Sequence, residues 1–366
     1  MGRRERVRAV GIAMVAFLAL AFTLLAGLEG TGKAQQAPRT ITQLECPLGC
    51  GSIEGYTIFG SFVAKEHPWL VFQVQETPGY LYNVREMGQN EKRWKTTTFG
   101  TEDTVLQLFF QGGKPELKEF YPEPIKIKWK LLYGFGWWTQ GMWFVTLDPN
   151  LKSMAHLKGK RVGLGLRSQS DWGADARIFL EVGYGITAKD SDLRHLGPVA
   201  ASEAMLDGKV NAAAMGMGWS PGAKTWMAAA PMRLLEASGR KLYYIGIDKE
   251  AVDRVNKKYG TTYQTIVVPK GTLKDQESDF LAGIDRAFNA THPDFPEDLA
   301  YELVKTVVKF RERMAQVHPL WKLMTPETMV HGLSEENVHP GALRAYKELG
   351  WWEMTKNFPP VTYPEK

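Results

Sequence analysis

Twice between residues 157 and 221 a short buried strand lies next to a polar or glycine-rich loop and a helix, and this alternation restricts the fold more than any other stretch of the chain. Leu157-Lys158-Gly159-Lys160 leads into a strand over 161–166. Arg167-Ser168-Gln169-Ser170 reads as a polar loop, with Asp171 capping a helix over 172–182 that Gly183 stops. The pattern returns as a short helix over 202–206, ended by Asp207-Gly208, and a strand of small residues over 210–215 that opens on a loop at 216–221. A strand that feeds a helix leaves unbonded N–H groups at the loop, aimed where an anion would bind. The segment is an architecture for binding, and no catalytic group is written into it.

Arg3, Arg4, Arg6 and Arg8 precede an uncharged apolar run over 10–28, and Gly32-Lys33-Ala34 follows. This is the anatomy of a secretory signal peptide over 1–34, with Gln35 as the first mature residue. An uncleaved N-terminal anchor is the alternative, since the run is long enough to span a bilayer. Loss of residues 1–34 removes five bases and two acids, so the net charge falls from +5 to about +2. That near-balance gives no reason to expect a nucleic-acid partner. The two cysteines, Cys46 and Cys50, are close enough for a local disulfide in an oxidising compartment, or remain thiols. The seven histidines are scattered singly, so no metal site and no cofactor are expected.

Strands are expected over 40–44, 70–75 and 95–99, and helices over 56–66, 78–87 and 104–110, with 51–56 as a loop. This order predicts an α/β lobe with ligand loops at strand C-termini. The apolar stretch 131–147 and the run Thr265-Ile266-Val267-Val268-Pro269 are expected to cross between two lobes. The first lobe would then hold 35–147 and 265–366, and the second 148–264. Residues 280–291 read as a helix. So do 296–314, where Pro296 opens the first turn and Leu303, Val307, Phe310 and Met314 form one stripe.

Four motifs in this order resemble the TAXI family of TRAP-transporter solute-binding proteins. They are Leu157-Lys158-Gly159-Lys160-Arg161-Val162, the stretch from Ser202-Glu203-Ala204 through Leu206-Asp207-Gly208-Lys209-Val210-Asn211-Ala212, Val268-Pro269-Lys270-Gly271-Thr272, and His339-Pro340-Gly341-Ala342 with Tyr346 and Gly350. The resemblance implies a two-lobed, type II-like periplasmic binding protein fold, each lobe a sheet flanked by helices and the two joined by two crossing segments. It implies a periplasmic receptor that closes on a small organic acid or amino acid and delivers it to TRAP membrane permease subunits. The first loop departs from the family's G-T-x-x-G-T-Y-Y-P, since Ser52, Glu54 and Tyr56 stand within Gly51-Ser52-Ile53-Glu54-Gly55-Tyr56-Thr57-Ile58-Phe59.

The expected ligand contacts follow from these loops. Arg167 would clamp a carboxylate, or else pair with Asp171 or Asp175. Ser168 and Ser170 would donate hydroxyls to the same anion or simply shape the loop. Glu54 suits a solute with an ammonium group, with Ser52 and Tyr56 beside it, and Thr101 and Glu102 end the third strand. Trp138, Trp172 and Trp219 (with Trp137) would give a pocket with aromatic walls, although most tryptophans are core. Two rival readings remain. A ligand-sensing adaptor would bind a membrane partner without transport. An enzyme would need a nucleophile with a base, for which Cys50 is the one candidate.

Overall fold

The computed structural model describes residues 37–48 and 50–364. The signal peptide and its cleavage site before Gln35 lie outside the described residues. From Thr40 on the chain forms one unit. It opens with β1 (Arg39–Leu44), α1 (Gly51–Glu66), β2 (Leu70–Gln75), α2 (Tyr80–Gln89), β3 (Thr97–Glu102), α3 (Asp103–Phe110) and β4 (Lys130–Trp138). β1 and β3 pair in parallel, Thr42 opposite Thr97. β3 runs straight into α3, and β1 reaches α1 through residues 45–50, so the C-terminal ends of β1 and β3 and the starts of α1 and α3 gather on one edge.

The chain continues through β5 (Phe144–Thr146), β6 (Arg161–Leu164), the helical stretch α4 over 170–183, β7 (Asp192–His195), α5 (Pro198–Leu206) and β8 (Ala212–Ala214). Next come β9 (Met217–Ser220), β10 (Thr225–Ala228), α6 (Ala230–Ala237), β11 (Tyr243–Ile245), α7 (Lys249–Tyr259), β12 (Gln264–Val268) and β13 (Phe280–Thr291). The chain closes with α8 (Glu297–Ala315), α9 (Pro326–Val330) and α10 (Pro340–Glu348). The result is an α/β fold of two sheets flanked by helices. The larger sheet has the order β10-β9-β4-β13-β3-β1-β2 with β12 on β13, and the smaller has β11-β5-β8-β6-β7.

Alternation along the strands of the smaller sheet divides its core in two. Val145 and Ala213 face one apolar cluster with Trp143 and Met232, while Phe144, Ala212 and Ala214 face another with Leu180. α4 serves two cores at once. Its Ala176 and Leu180 join the smaller sheet, and its Ala174, Ile178 and Phe179 pack into the core of the larger one.

Four expectations change. Residues 280–291 are a strand, because β13 lies between β3 and β4 and is buried almost throughout. A central strand with both faces covered has no polar face, so its sequence does not alternate. Its Arg286 is instead paired with Asp103 at 2.7 Å, both side chains buried. The loop expected at 216–221 holds β9, and the one expected at 51–56 is the first turn of α1. Finally, the chain crosses between the sheets four times rather than twice: after β4, β8, β10 and β11. The β9–β10 hairpin, expected in the second lobe, pairs with β4 of the larger sheet. By contrast, 296–314 is helical as expected, with Leu303, Val307, Phe310 and Met314 buried.

Candidate functional site

Strand ends from both sheets meet around a cavity of about 230 Å³. The larger sheet supplies Glu102 at the end of β3, with Phe135 and Trp138 from β4. The smaller supplies Leu166, Gln169, Asp171 and Trp172 after β6, and 196–200 after β7. The helices α1, α2, α5 and α6 begin at this wall with Gly51, Tyr80, Pro198 and Ala230. None of their caps (Cys50, Gly79, Gly197 and Ala229) places a side chain on the free N–H groups. Backbone donors are therefore left over along the cavity.

Polar contacts close one side of the cleft. Ser168 Oγ donates to the Pro78 carbonyl at 2.7 Å, and Arg167 pairs with Glu119. Gly79 is what allows this approach: with φ at +142°, a Cβ there would lie 2.5 Å from the Ser168 carbonyl oxygen. Deeper in, Ser170 Oγ donates to Glu102 Oε2 at 2.6 Å, and Tyr263 donates its hydroxyl to Asp175 Oδ1 at 2.7 Å.

Behind this wall the acids are unusually dense. Glu102, Asp171, Asp175 and Asp285 are all buried. Burial pushes the Glu102 carboxyl well above the usual range, and the neighbouring charges of Asp171 and Asp285 add to the effect, against the Ser170 hydrogen bond. Burial raises Asp171 to about 7, opposed by the backbone N–H of Trp172. Asp175 and Asp285 are raised by the same cause, the first opposed by the Tyr263 hydroxyl. Among the described residues no group of these acids with histidine or cysteine is arranged to hold a metal.

The expected site residues divide into two sets. Ser52, Glu54, Glu102, Trp138 and Trp172 line the cavity. Ser52 Oγ lies 2.9 Å from the Tyr80 hydroxyl, and Glu54 faces His318 Nε2 at 3.3 Å. Ser170 sits just behind the wall on Glu102. The others lie elsewhere. Tyr56 is in the core, edge-on to Phe135 and Trp321. Thr101 is buried within β3, its side chain 3.4 Å from the Glu102 carbonyl. Arg167 and Ser168 hold the cleft shut from outside the wall. Trp219 belongs to an aromatic row with Trp137 and Trp226, because Trp137 and Trp138 point to opposite faces of β4.

The sequence reading gives Asp171 a capping role or a pairing with Arg167, not a place on the wall, and does not single out Tyr80, Gln140 and Gln169 as wall residues. The spacing of Asp171 and Asp175, four apart just after a buried strand, was the available signal for an acidic face. Cys46 and Cys50 are joined in a disulfide, and Cys50 lines the cavity. Among the described residues no helix is long and apolar enough to cross a membrane.

Several solved proteins are similar over nearly their whole length, at low identity. MatC from Rhodopseudomonas palustris with bound malate is 10% identical, covering 87% of this chain and 99% of that one with a TM-score of 0.49. PhnD1 from Prochlorococcus marinus in complex with methylphosphonate is 9% identical, covering 86% and 99% with a TM-score of 0.48. The periplasmic aliphatic sulphonate binding protein SsuA from Escherichia coli is 12% identical, covering 88% and 80% with a TM-score of 0.35. The NMT1-like family model matches residues 133–350, which include the whole smaller sheet and most of the cavity wall. On that match, over more than half its length, the chain belongs to the NMT1-like family.

Proposed function

We propose that this protein is a periplasmic receptor that captures a small organic solute between its two sheets and delivers it to a membrane permease. The observation that carries this reading is the cavity itself. Its walls come from strand ends and uncapped helix starts on both sheets, so a solute bound there is gripped by both halves together. The leader read from the sequence would bring the chain to the periplasm, and the TRAP type of permease rests on the sequence resemblance described above. The disulfide removes Cys50 as a nucleophile, which weakens the enzymatic alternative.

A thermal-shift panel of organic acids, amino acids and amines on the chain from Gln35 tests the reading. A solute present at a hundred times its dissociation constant stabilises the fold by roughly 2.7 kcal/mol, a shift of about 4 °C at this size. Such a shift, lost when Trp172→Ala strips the cavity wall, supports a receptor. A panel without any shift speaks for the adaptor.

A further inference from the structure

The hydrogen bonds left unmade on the cavity wall point to the chemical class of its solute, an inference that rests on the receptor reading. α5 and α6 pack against each other and both start at the cavity. In α5, Pro198 has no N–H and the Ala201 N–H goes to the Gly197 carbonyl at 2.8 Å, so Val199 and Ala200 present unbonded N–H groups. In α6, Pro231 again has none, and Ala230 is left with a free N–H. Neither first turn carries an acid. The other two helix starts on the wall suit negative charge less well. Glu54 stands in the first turn of α1, and Tyr80 at the head of α2 lies in the field of Glu45, Glu102 and Asp171.

A second observation is independent of the helices. Residues 139 and 141 bond to Met217 and Met215, which sets Gln140 beside Gly216, where an added Cβ would overlap Gln140 Cγ. The Gly216 carbonyl in turn accepts from Ala229, the residue before α6. Gln140 lines the cavity at 7% exposure. Its amide oxygen is sealed off, so the end that reaches the cavity is the Nε2 donor, and no acceptor meets it among the described residues. A buried donor without an acceptor costs free energy that a bound oxygen would recover. Arg233 of α6 also lines the wall. It donates to the Ala228 carbonyl at 2.6 Å, and among the described residues no carboxylate pairs with it.

The acids on the wall are satisfied from within. Asp171 stands with the head of α2, lining a recess with Gly79 and Tyr80. The Glu102 and Asp171 side chains hydrogen-bond each other, which takes a proton between them, and burial raises both. They also accept from Ser170 Oγ at 2.6 Å and from the Trp172 N–H at 2.7 Å. Much of the remaining wall is apolar, with Phe135, Trp138, Leu166 and Trp172.

We propose that the cavity takes a monoanion with an apolar body: one carboxylate on the starts of α5 and α6, held by Gln140 Nε2 and Arg233, and a hydrocarbon or aromatic body against Phe135, Trp138 and Trp172. The carboxylate oxygens supply the acceptors that the Val199, Ala200 and Ala230 N–H groups and the Gln140 amide lack. A second carboxylate finds no further free cation, since His318, the other base on the described wall, faces Glu54. It meets the Glu102–Asp171 pair instead, in a site screened from water. An amine in place of the carboxylate faces donors and a guanidinium.

Ligands matched on one skeleton test this at pH 7 by titration calorimetry: hexanoate against adipate, and 3-phenylpropionate against 3-(4-carboxyphenyl)propionate and phenethylamine, with 3-phenylpropan-1-ol as the uncharged control. The expected result is that each monocarboxylate binds at least tenfold more tightly than its dicarboxylate or amine counterpart. Arg233→Ala and Gln140→Leu, each checked for its fold by circular dichroism, weaken 3-phenylpropionate about tenfold and leave 3-phenylpropan-1-ol unchanged. Arg233 is exposed, so its variant decides the matter even where Gln140→Leu fails to fold. Dicarboxylates or the amine binding as tightly as the monocarboxylates, or tighter, overturn the monoanion and leave the receptor standing. Binding of 3-phenylpropionate that the folded variants retain also overturns it. Absence of binding by both monocarboxylates overturns it too, and the receptor reading then stands or falls on its own panel.

Discussion

Glu45 follows directly on β1 and is fully buried beside the cavity wall. Gln43 Nε2 donates to its Oε1 at 2.7 Å, while Oε2 has no donor among the described residues. Burial outweighs the opposing pull of the nearby Ser52 hydroxyl, Gln43 amide and Tyr80 hydroxyl and pushes this carboxyl from 4.5 up to about 7. The folded state therefore holds this proton more tightly than the unfolded one. Stability from this group is fully present below pH 4.5 and is lost as pH rises to 7. We expect Glu45→Gln to gain on the unsubstituted protein by roughly 3 kcal/mol across that window, read by urea unfolding at pH 4.5 and 7.5. Comparing the two proteins cancels the opposite drift from His195 and His339, which burial lowers to about 4. A difference independent of pH would show that Glu45 ionises freely. Individual residues of the site were legible where the start of a helix or the end of a strand decides contact, as for Ser52, Glu54 and Glu102. Arg167 was not, because its partner Glu119 lies in a charged excursion distant in sequence, and nothing local to either residue brings them together.

Among the elements, amphipathic ones could be read directly and centrally buried ones could not. α8 presents one apolar stripe to the core and solvent to the other side, so its period shows in the sequence. β13 has no exposed face, and Phe280–Thr291 carries no period that separates strand from helix. The ion pair of Arg286 with Asp103 ties β13 to the start of α3 in a region already holding Asp175 and Asp285. Arg286→Ala leaves Asp103 unpaired among acids, and we expect a loss of roughly 3–5 kcal/mol by denaturant unfolding. A loss below about 1 kcal/mol would mean that water reaches the pair. Gly79, at the head of α2, predicts a different outcome. Gly79→Ala pushes α2 away from the Ser168 carbonyl, so solute affinity should fall about tenfold in calorimetry while the fold persists by circular dichroism. Unchanged affinity would show that the two loops separate without consequence.

For the molecule as a whole, the two sides of the cleft differ in kind. On one, Ala174, Ile178 and Phe179 of α4 are packed into the core of the larger sheet, Phe179 edge-on to Tyr263 at 5.0 Å. On the other, Ser168 with Pro78 and Arg167 with Glu119 are exposed polar contacts of small individual worth. Opening should therefore pivot about the packed side and part the polar one. Small-angle scattering should show the radius of gyration falling when solute is added, and an equal radius with and without solute would rule out such a pivot. The position of β13 has a consequence for how the chain acquires its structure. This strand lies between β3 and β4, and its first half pairs with β12, so neither neighbour can meet its partner until Thr291 has been made. A chain emerging N-terminus first must hold β3 and β4 apart, with their apolar faces unmatched, until more than three quarters of its length is available. Its fold is thus completed late and over long sequence separations, which favours slow folding and leaves unpaired strand edges exposed until β13 arrives.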